Sequence, residues 1–295
     1  WSGGSFAIEQ LDGSLGGLDS PNDPVIRANQ DVFLDSYTGA SLHIFAGGLV
    51  FIPGTVRITA PDTTDFITEE VTLSDGITRV SIDGSVEPTL DIRAGIDWTK
   101  LGGFPGNTVE GTVFPPPFLD SFSPVPSADI IIGEIIVGDQ GKVFLTNQYQ
   151  PNTLDTPFGG ITVDSISTQA GDVVFDSRGG ITLDGLIDTS SFPIGSGGDV
   201  TLRAKGDIFI TSSFAINTSG VSGGNVTLNS DGAIFIAGSL ITTDSFSPDS
   251  EIFNPAGDIT VTAQSLSLTE GAMLLTGSGS NINITTTDFV SLDGS

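Results

Sequence analysis

The chain has no cysteine, one histidine and one methionine, and only 9 lysines and arginines against 36 aspartates and glutamates. Without cysteine there is no disulfide framework, no thiolate nucleophile and no Cys-based metal site. A single histidine excludes a His-rich metal centre. The net charge of −27 repels nucleic-acid phosphates and anionic lipid, so no nucleic-acid partner is expected. Long apolar runs are also missing. Leu49-Val50-Phe51-Ile52 ends far short of the ~20 residues that span a bilayer, so no membrane insertion is expected.

What is present does not resemble a disordered acidic tail, which lacks apolar residues. Hydrophobic residues make up 38% of the 295, with 19 Phe and 39 Gly, while charged residues are only 15%. Ile, Val, Phe, Thr and Gly favour strands and turns over helices.

A phrase recurs in the second half: Gly, then Asp or Asn, then alternating apolar residues and Thr. It reads Gly171-Asp172-Val173, Gly198-Asp199-Val200-Thr201-Leu202, Gly224-Asn225-Val226-Thr227-Leu228 and Gly257-Asp258-Ile259-Thr260-Val261, with a weaker copy at Ser280-Asn281-Ile282. The spacings of 27, 26, 33 and 23 residues belong to a β-solenoid. Each period holds three short strands, as in Val226–Leu228, Ile234–Ile236 and Leu240–Thr243. Alternation sends Val226 and Leu228 inward and Thr227 outward. About ten coils at roughly 4.8 Å each would give a rod on the order of 50 Å long. The expected fold is therefore an all-β, right-handed parallel β-helix with loop insertions.

Residues 1–295 read as one solenoid segment. Residues 1–100 form less regular coils, 101–127 a Gly/Pro-rich insertion, and 128–295 regular coils with a second insertion at 244–256. Val71–Leu73 and Val80–Ile82 are expected to fit the coil, with an excursion near Asp62–Glu70 that takes in Glu69-Glu70. The chain opens without an initiator Met or a basic and apolar leader and stops in mid-pattern, which leads to the expectation of a fragment of a longer, processed polypeptide.

Candidate chemistry is sparse. No Asp-Asp dipeptide offers the paired carboxylates that glycoside hydrolysis needs, and no Gly-His-Gly is present. His43 is expected to be an exposed strand residue. Arg178 and Arg203, one coil apart near Asp172, Asp176 and Asp199, are expected to be solvated surface charges. Asp172, Asp199 and Asp258 are calcium candidates. The alternative is that they are turn residues whose side chains bond the backbone and stack as a ladder. Otherwise no cofactor and no catalytic residue is expected. Phe175, Phe209 and Phe235 are expected in the core. Trp98, Phe104, Phe114, Phe118 and Phe122 flank the Pro-rich insertion, and Phe246 and Phe253 the second one. These aromatics form a possible contact surface, with pinning of the loops to the solenoid as the alternative.

Three longer blocks carry a resemblance: Trp1-Ser2-Gly3-Gly4-Ser5-Phe6 with Ile8–Gly16, Asp35-Ser36-Tyr37-Thr38-Gly39-Ala40-Ser41-Leu42-His43-Ile44, and Val143–Thr153. With the Gly-Gly-Asn-Val-Thr-Leu coils they resemble large cyanobacterial exoproteins of the filamentous-haemagglutinin type, exported by two-partner secretion. The family's Asn-Pro-Asn-type secretion motifs are absent, so the chain resembles the stalk downstream of the secretion domain. The resemblance implies a secreted, cell-surface location and an outer-membrane transporter as export partner. It further implies a structural or adhesive duty toward a glycan or cell-surface receptor. The alternatives are a subunit that associates end to end into an extracellular filament or sheath, and a β-helix polysaccharide lyase or hydrolase.

Overall fold

The computed structural model describes residues 1–22, 24–64, 67–101, 127–138, 140–148, 159–246 and 254–294. Among the described residues it is all-β apart from one short 3-10 turn at Trp98–Leu101. Among the described residues no helix is long and apolar enough to cross a membrane.

Strands distant in sequence pair side by side in parallel. One ladder runs Val25–Ala28, Leu42–Ala46, Thr89–Arg93, Lys142–Thr146, Val173–Ser177, Val200–Ala204, Val226–Ser230 and Ile259–Thr269. A second runs Val32–Phe33, Val50–Ile52, Ile130–Val137, Ile161–Ser167, Ile181–Leu183, Ile208–Ile210 and Ala233–Ala237. A third includes Ile187–Asp188, Phe214–Asn217, Leu240–Thr242 and Met273–Leu275. Long strands such as Ile130–Val137 serve two ladders. The ladders therefore merge into one 24-stranded parallel sheet, nearly closed round an axis like a solenoid. Inside lies a single apolar core that includes Leu42, Ile44, Leu90, Val143, Phe175, Val226, Leu228 and Ile259.

The repeated phrase has a backbone reason. A Cβ at Gly224 would meet the Gly198 carbonyl oxygen at 2.2 Å, and one at Gly257 the Gly224 oxygen at 1.9 Å. Only glycine lets successive coils stack this closely at the corner. The Asx residue that follows ties the coils together. Asp172 Oδ1 accepts the Asp199 N–H at 3.0 Å, Asp199 Oδ1 the Asn225 N–H at 2.7 Å, Asn225 Oδ1 the Asp258 N–H at 3.0 Å, and Asp258 Oδ1 the Asn281 N–H at 2.7 Å. A buried threonine closes each corner from within. The Thr189, Thr218 and Thr243 hydroxyls donate to the carbonyls of Gly198, Gly224 and Gly257.

The residues 62–84 differ from expectation. Thr68–Thr72 and Arg79–Asp83 leave the coil and pair antiparallel as a hairpin, so Glu69 and Glu70 lie on a strand and not in an irregular loop. The turn is Asp75-Gly76. Gly76 has φ +71, and Asp75 Oδ1 accepts the N–H groups of Ile77 and Thr78. Gly84 closes the base by accepting the Asp62 N–H at 2.8 Å. The hairpin lies on the outer face of the sheet. There Val71, Leu73, Val80 and Ile82 pack against Phe144 and Val174 in a second, smaller core.

Candidate functional site

Three features outside the main core are candidates for function. The first is the charged cluster under the hairpin. His43 follows the expected alternation and points away from Leu42 and Ile44, but it is fully buried and not exposed. The hairpin reaches the same outer face through Glu69, which bonds Arg93 beside Asp91. His43 Nδ1 lies 3.0 Å from Asp91 Oδ2, and the Arg93 guanidinium donates to both Asp91 oxygens at 2.9 Å. Arg93 also reaches Glu69 at 2.8 Å and lies over the rings of Phe45 and Phe144. Burial works to raise the Asp91 pKa, but Arg93 and His43 outweigh it and hold the carboxyl below its usual range. The cluster has the residue types of an acid–base site, but Asp91, His43 and Arg93 have no exposed surface. As it stands it is a satisfied internal network.

Asp176 is likewise buried and not a solvated charge. It accepts the Ser74 N–H and hydroxyl at 2.7 and 2.6 Å, and the Gln148 amide at 3.2 Å. Burial raises its pKa; the Ser74 bonds and Arg203 oppose the rise, and Asp75 adds to it. Arg203 pairs with Asp75 at 2.8 Å.

The second feature is a groove of about 1010 Å³ on the corner that carries the Asx ladder. Glu87, Asp172, Asp188 and Asp199 line it together with Ser191, Ser196 and Gln140. Two of the calcium candidates, Asp172 and Asp199, are here; Asp258 sits further along the ladder. One oxygen of each candidate is engaged by the next coil's N–H, the ladder arrangement. Among the described residues no group of three or more His, Asp or Glu side chains is placed to hold a metal ion.

The third feature is aromatic. Phe175 is in the core, but Phe209 and Phe235 face outward and are 39% and 38% exposed. Each sits between two inward isoleucines at the centre of its strand, Ile208–Ile210 or Ala233–Ala237, so alternation sends it outside. Their rings stack with centroids 5.0 Å apart, matched to the coil spacing. Trp98 is buried against Phe45 and Ile96, with its indole N–H donating to the Ala28 carbonyl. It belongs to packing and not to an exposed platform. Phe246 is exposed; its backbone N–H bonds Gly220, and the adjoining Ser245 hydroxyl reaches the Asn254 carbonyl to close the base of the second insertion. Phe104, Phe114, Phe118, Phe122 and Phe253 lie outside the described residues.

Compared with protein-family models, curated proteins and solved structures, the chain matches none.

The His43–Asp91–Arg93–Glu69 cluster was not anticipated from the sequence. Leu90-Asp91-Ile92-Arg93 carried the only available signal, two opposite charges on the outer side of one strand. Such a pair gives no sign of what will cover it.

Proposed function

We propose that the chain is a non-catalytic stalk segment of a secreted, cell-surface exoprotein of the filamentous-haemagglutinin type. In this reading it is a right-handed β-helix with three short strands per coil. The observation that carries the reading is the continuous stack of parallel rungs around one apolar core, held by repeated Gly–Asx corners. Such a body is stiff along its axis and is suited to projecting other regions, while side insertions supply lateral contact with a glycan or receptor. Export through an outer-membrane transporter of the two-partner type agrees with the absence of cysteine, since no disulfide can lock the chain before passage. The test is binding of the purified chain to a glycan array and to cell surfaces, combined with small-angle scattering. A monomeric rod is expected; a compact globule would sink the stalk reading. Release of reducing or unsaturated sugars from acidic polysaccharides would replace it with an enzyme reading.

A second reading is end-to-end assembly. An open strand edge is a template for pairing. Concentration-dependent filaments in electron micrographs would favour this reading.

A further inference from the structure

Four consecutive rungs of the first ladder each give one charged side chain to the hairpin. Thr89–Arg93 gives Arg93, bonded to Glu69 at 2.8 Å. Lys142–Thr146 gives Lys142, whose ammonium donates to the Ser81 carbonyl at 2.9 Å. Val173–Ser177 gives Asp176, which holds Ser74, and Val200–Ala204 gives Arg203, which holds Asp75. The hairpin therefore lies across the rungs. Its tip reaches residues 102 and 128 positions away in sequence.

That arrangement breaks the usual rule for stacked repeats. In a solenoid each repeat contacts only its neighbours, so a terminal rung opens at the cost of one interface. Here the rung Val200–Ala204 is tied to an element that enters the chain three rungs earlier. A two-stranded hairpin is marginal on its own. It holds its form through the apolar contacts of Val71, Leu73, Val80 and Ile82 with Phe144 and Val174. Opening any of the four rungs from the outside strains the same hairpin.

We propose that the hairpin is a clasp that fuses the rungs from Thr89–Arg93 to Val200–Ala204 into one cooperative unit, with Val226–Ser230 and later rungs outside it. The clasp gives the rod a segment that resists unzipping from the Val200 side, whatever the rod carries. It is independent of the stalk reading, because it concerns opening and not ligands.

Native-state hydrogen exchange read by mass spectrometry tests this. In the unaltered chain the four rungs should share one opening rate, slower than that of Val226–Ser230. In the double variant Ser74→Ala, Asp75→Ala the tip loses the Ser74 hydroxyl bond and the Arg203 pair and keeps only the backbone bond to Asp176. Exchange at Val200–Ala204 should then rise about tenfold or more while Thr89–Arg93 keeps its rate. Should that variant fail to fold, Asp75→Asn decides, since it removes the Arg203 ion pair and the Thr78 hydroxyl bond while its amide oxygen keeps an acceptor for the Ile77 and Thr78 N–H groups; a rise of at least about twofold at Val200–Ala204, with the other three rungs unchanged, is expected. An unchanged rate at Val200–Ala204, or equal acceleration of every rung including Val226–Ser230, overturns the clasp.

Discussion

Asp176 holds Ser74 through two bonds, 2.7 Å from the backbone N–H and 2.6 Å from the hydroxyl, across 102 residues of sequence. Asp176 is buried, so its loss leaves the two Ser74 donors without their acceptor, while the Gln148 amide keeps its bond to the Ser177 carbonyl. Each unsatisfied buried group costs about 1–3 kcal/mol. Asp176→Ala should therefore destabilise the protein by about 3 kcal/mol or more in urea unfolding, far beyond a surface substitution. A loss below about 0.5 kcal/mol would mean the hairpin tip is not docked in solution.

The two acids at the tip give opposite pH effects. Asp176 has a raised pKa, so its contribution is fully present below the unfolded value and is lost as pH rises through the folded one. Asp75 is lowered to about 2: desolvation pushes it up, but the Thr78 hydroxyl, the Ile77 and Thr78 N–H groups and Arg203 outweigh that. Its contribution is present above the unfolded value, near 3.8, and is lost as pH falls through about 2. Tip protection, followed by hydrogen exchange at Leu73–Thr78, should peak on the acid side of neutrality and collapse toward pH 2. Asp75→Asn should remove the acid collapse and keep the loss of protection as pH rises toward neutrality.

Glycine in the repeated phrase is a matter of space. In Gly224→Ala the new Cβ meets the Gly198 carbonyl oxygen at 2.2 Å and carbon at 2.6 Å, both backbone atoms of the coil beside it. Overpacking of this kind costs about 1–3 kcal/mol, and the melting temperature should fall accordingly. Gly3→Ala meets nothing within 4 Å and should melt like the unaltered protein. Equal effects from the two substitutions would mean that the coils do not stack at this corner.

The solenoid-like sheet was legible in the sequence because one short phrase sets both the corner and the strand, and it recurs. Val226 and Leu228 are inside and Thr227 faces out, as alternation requires. The same alternation, applied to Ile208-Phe209-Ile210, puts Phe209 outside; a place at the strand centre does not by itself put a ring in the core. His43 shows a different limit. Alternation names the face of a strand but not what lies on that face, and Glu69 reaches it from another excursion. The hairpin itself had a signal, an Asp-Gly pair between alternating apolar stretches. Because Val71–Leu73 and Val80–Ile82 alternate just as coil strands do, that signal competed with the solenoid pattern. The groove acids Glu87 and Asp188 belong to no repeated phrase and come together only when the coils stack.

The outward pair Phe209 and Phe235 stack on each other on half-exposed positions, so their contribution comes mainly from ring against ring. A double-mutant cycle with Phe209→Ala and Phe235→Ala should return a coupling of about 0.5–1.5 kcal/mol. By contrast Phe175→Ala, which empties a fully buried site, should cost about 3–5 kcal/mol. A coupling near zero would mean that the rings do not meet.

Calcium gives the last prediction. Asp172, Asp199 and Asp258 each spend one carboxylate oxygen on the N–H of the next coil, which fixes Asp172 and Asp199 one rung apart and Asp258 two rungs beyond Asp199, with Asn225 between. Ca²⁺ takes 6–8 oxygen ligands at about 2.3–2.6 Å. Side chains spaced a rung or more apart and turned toward backbone N–H groups do not converge on such a point. Millimolar Ca²⁺ should therefore leave the melting temperature unchanged, and Asn225→Ala should lower stability by about 1 kcal/mol with or without it, through the lost bond to the Asp258 N–H. A melting temperature that climbs with Ca²⁺, and climbs less in Asp199→Asn, would turn the ladder from a backbone device into an ion site.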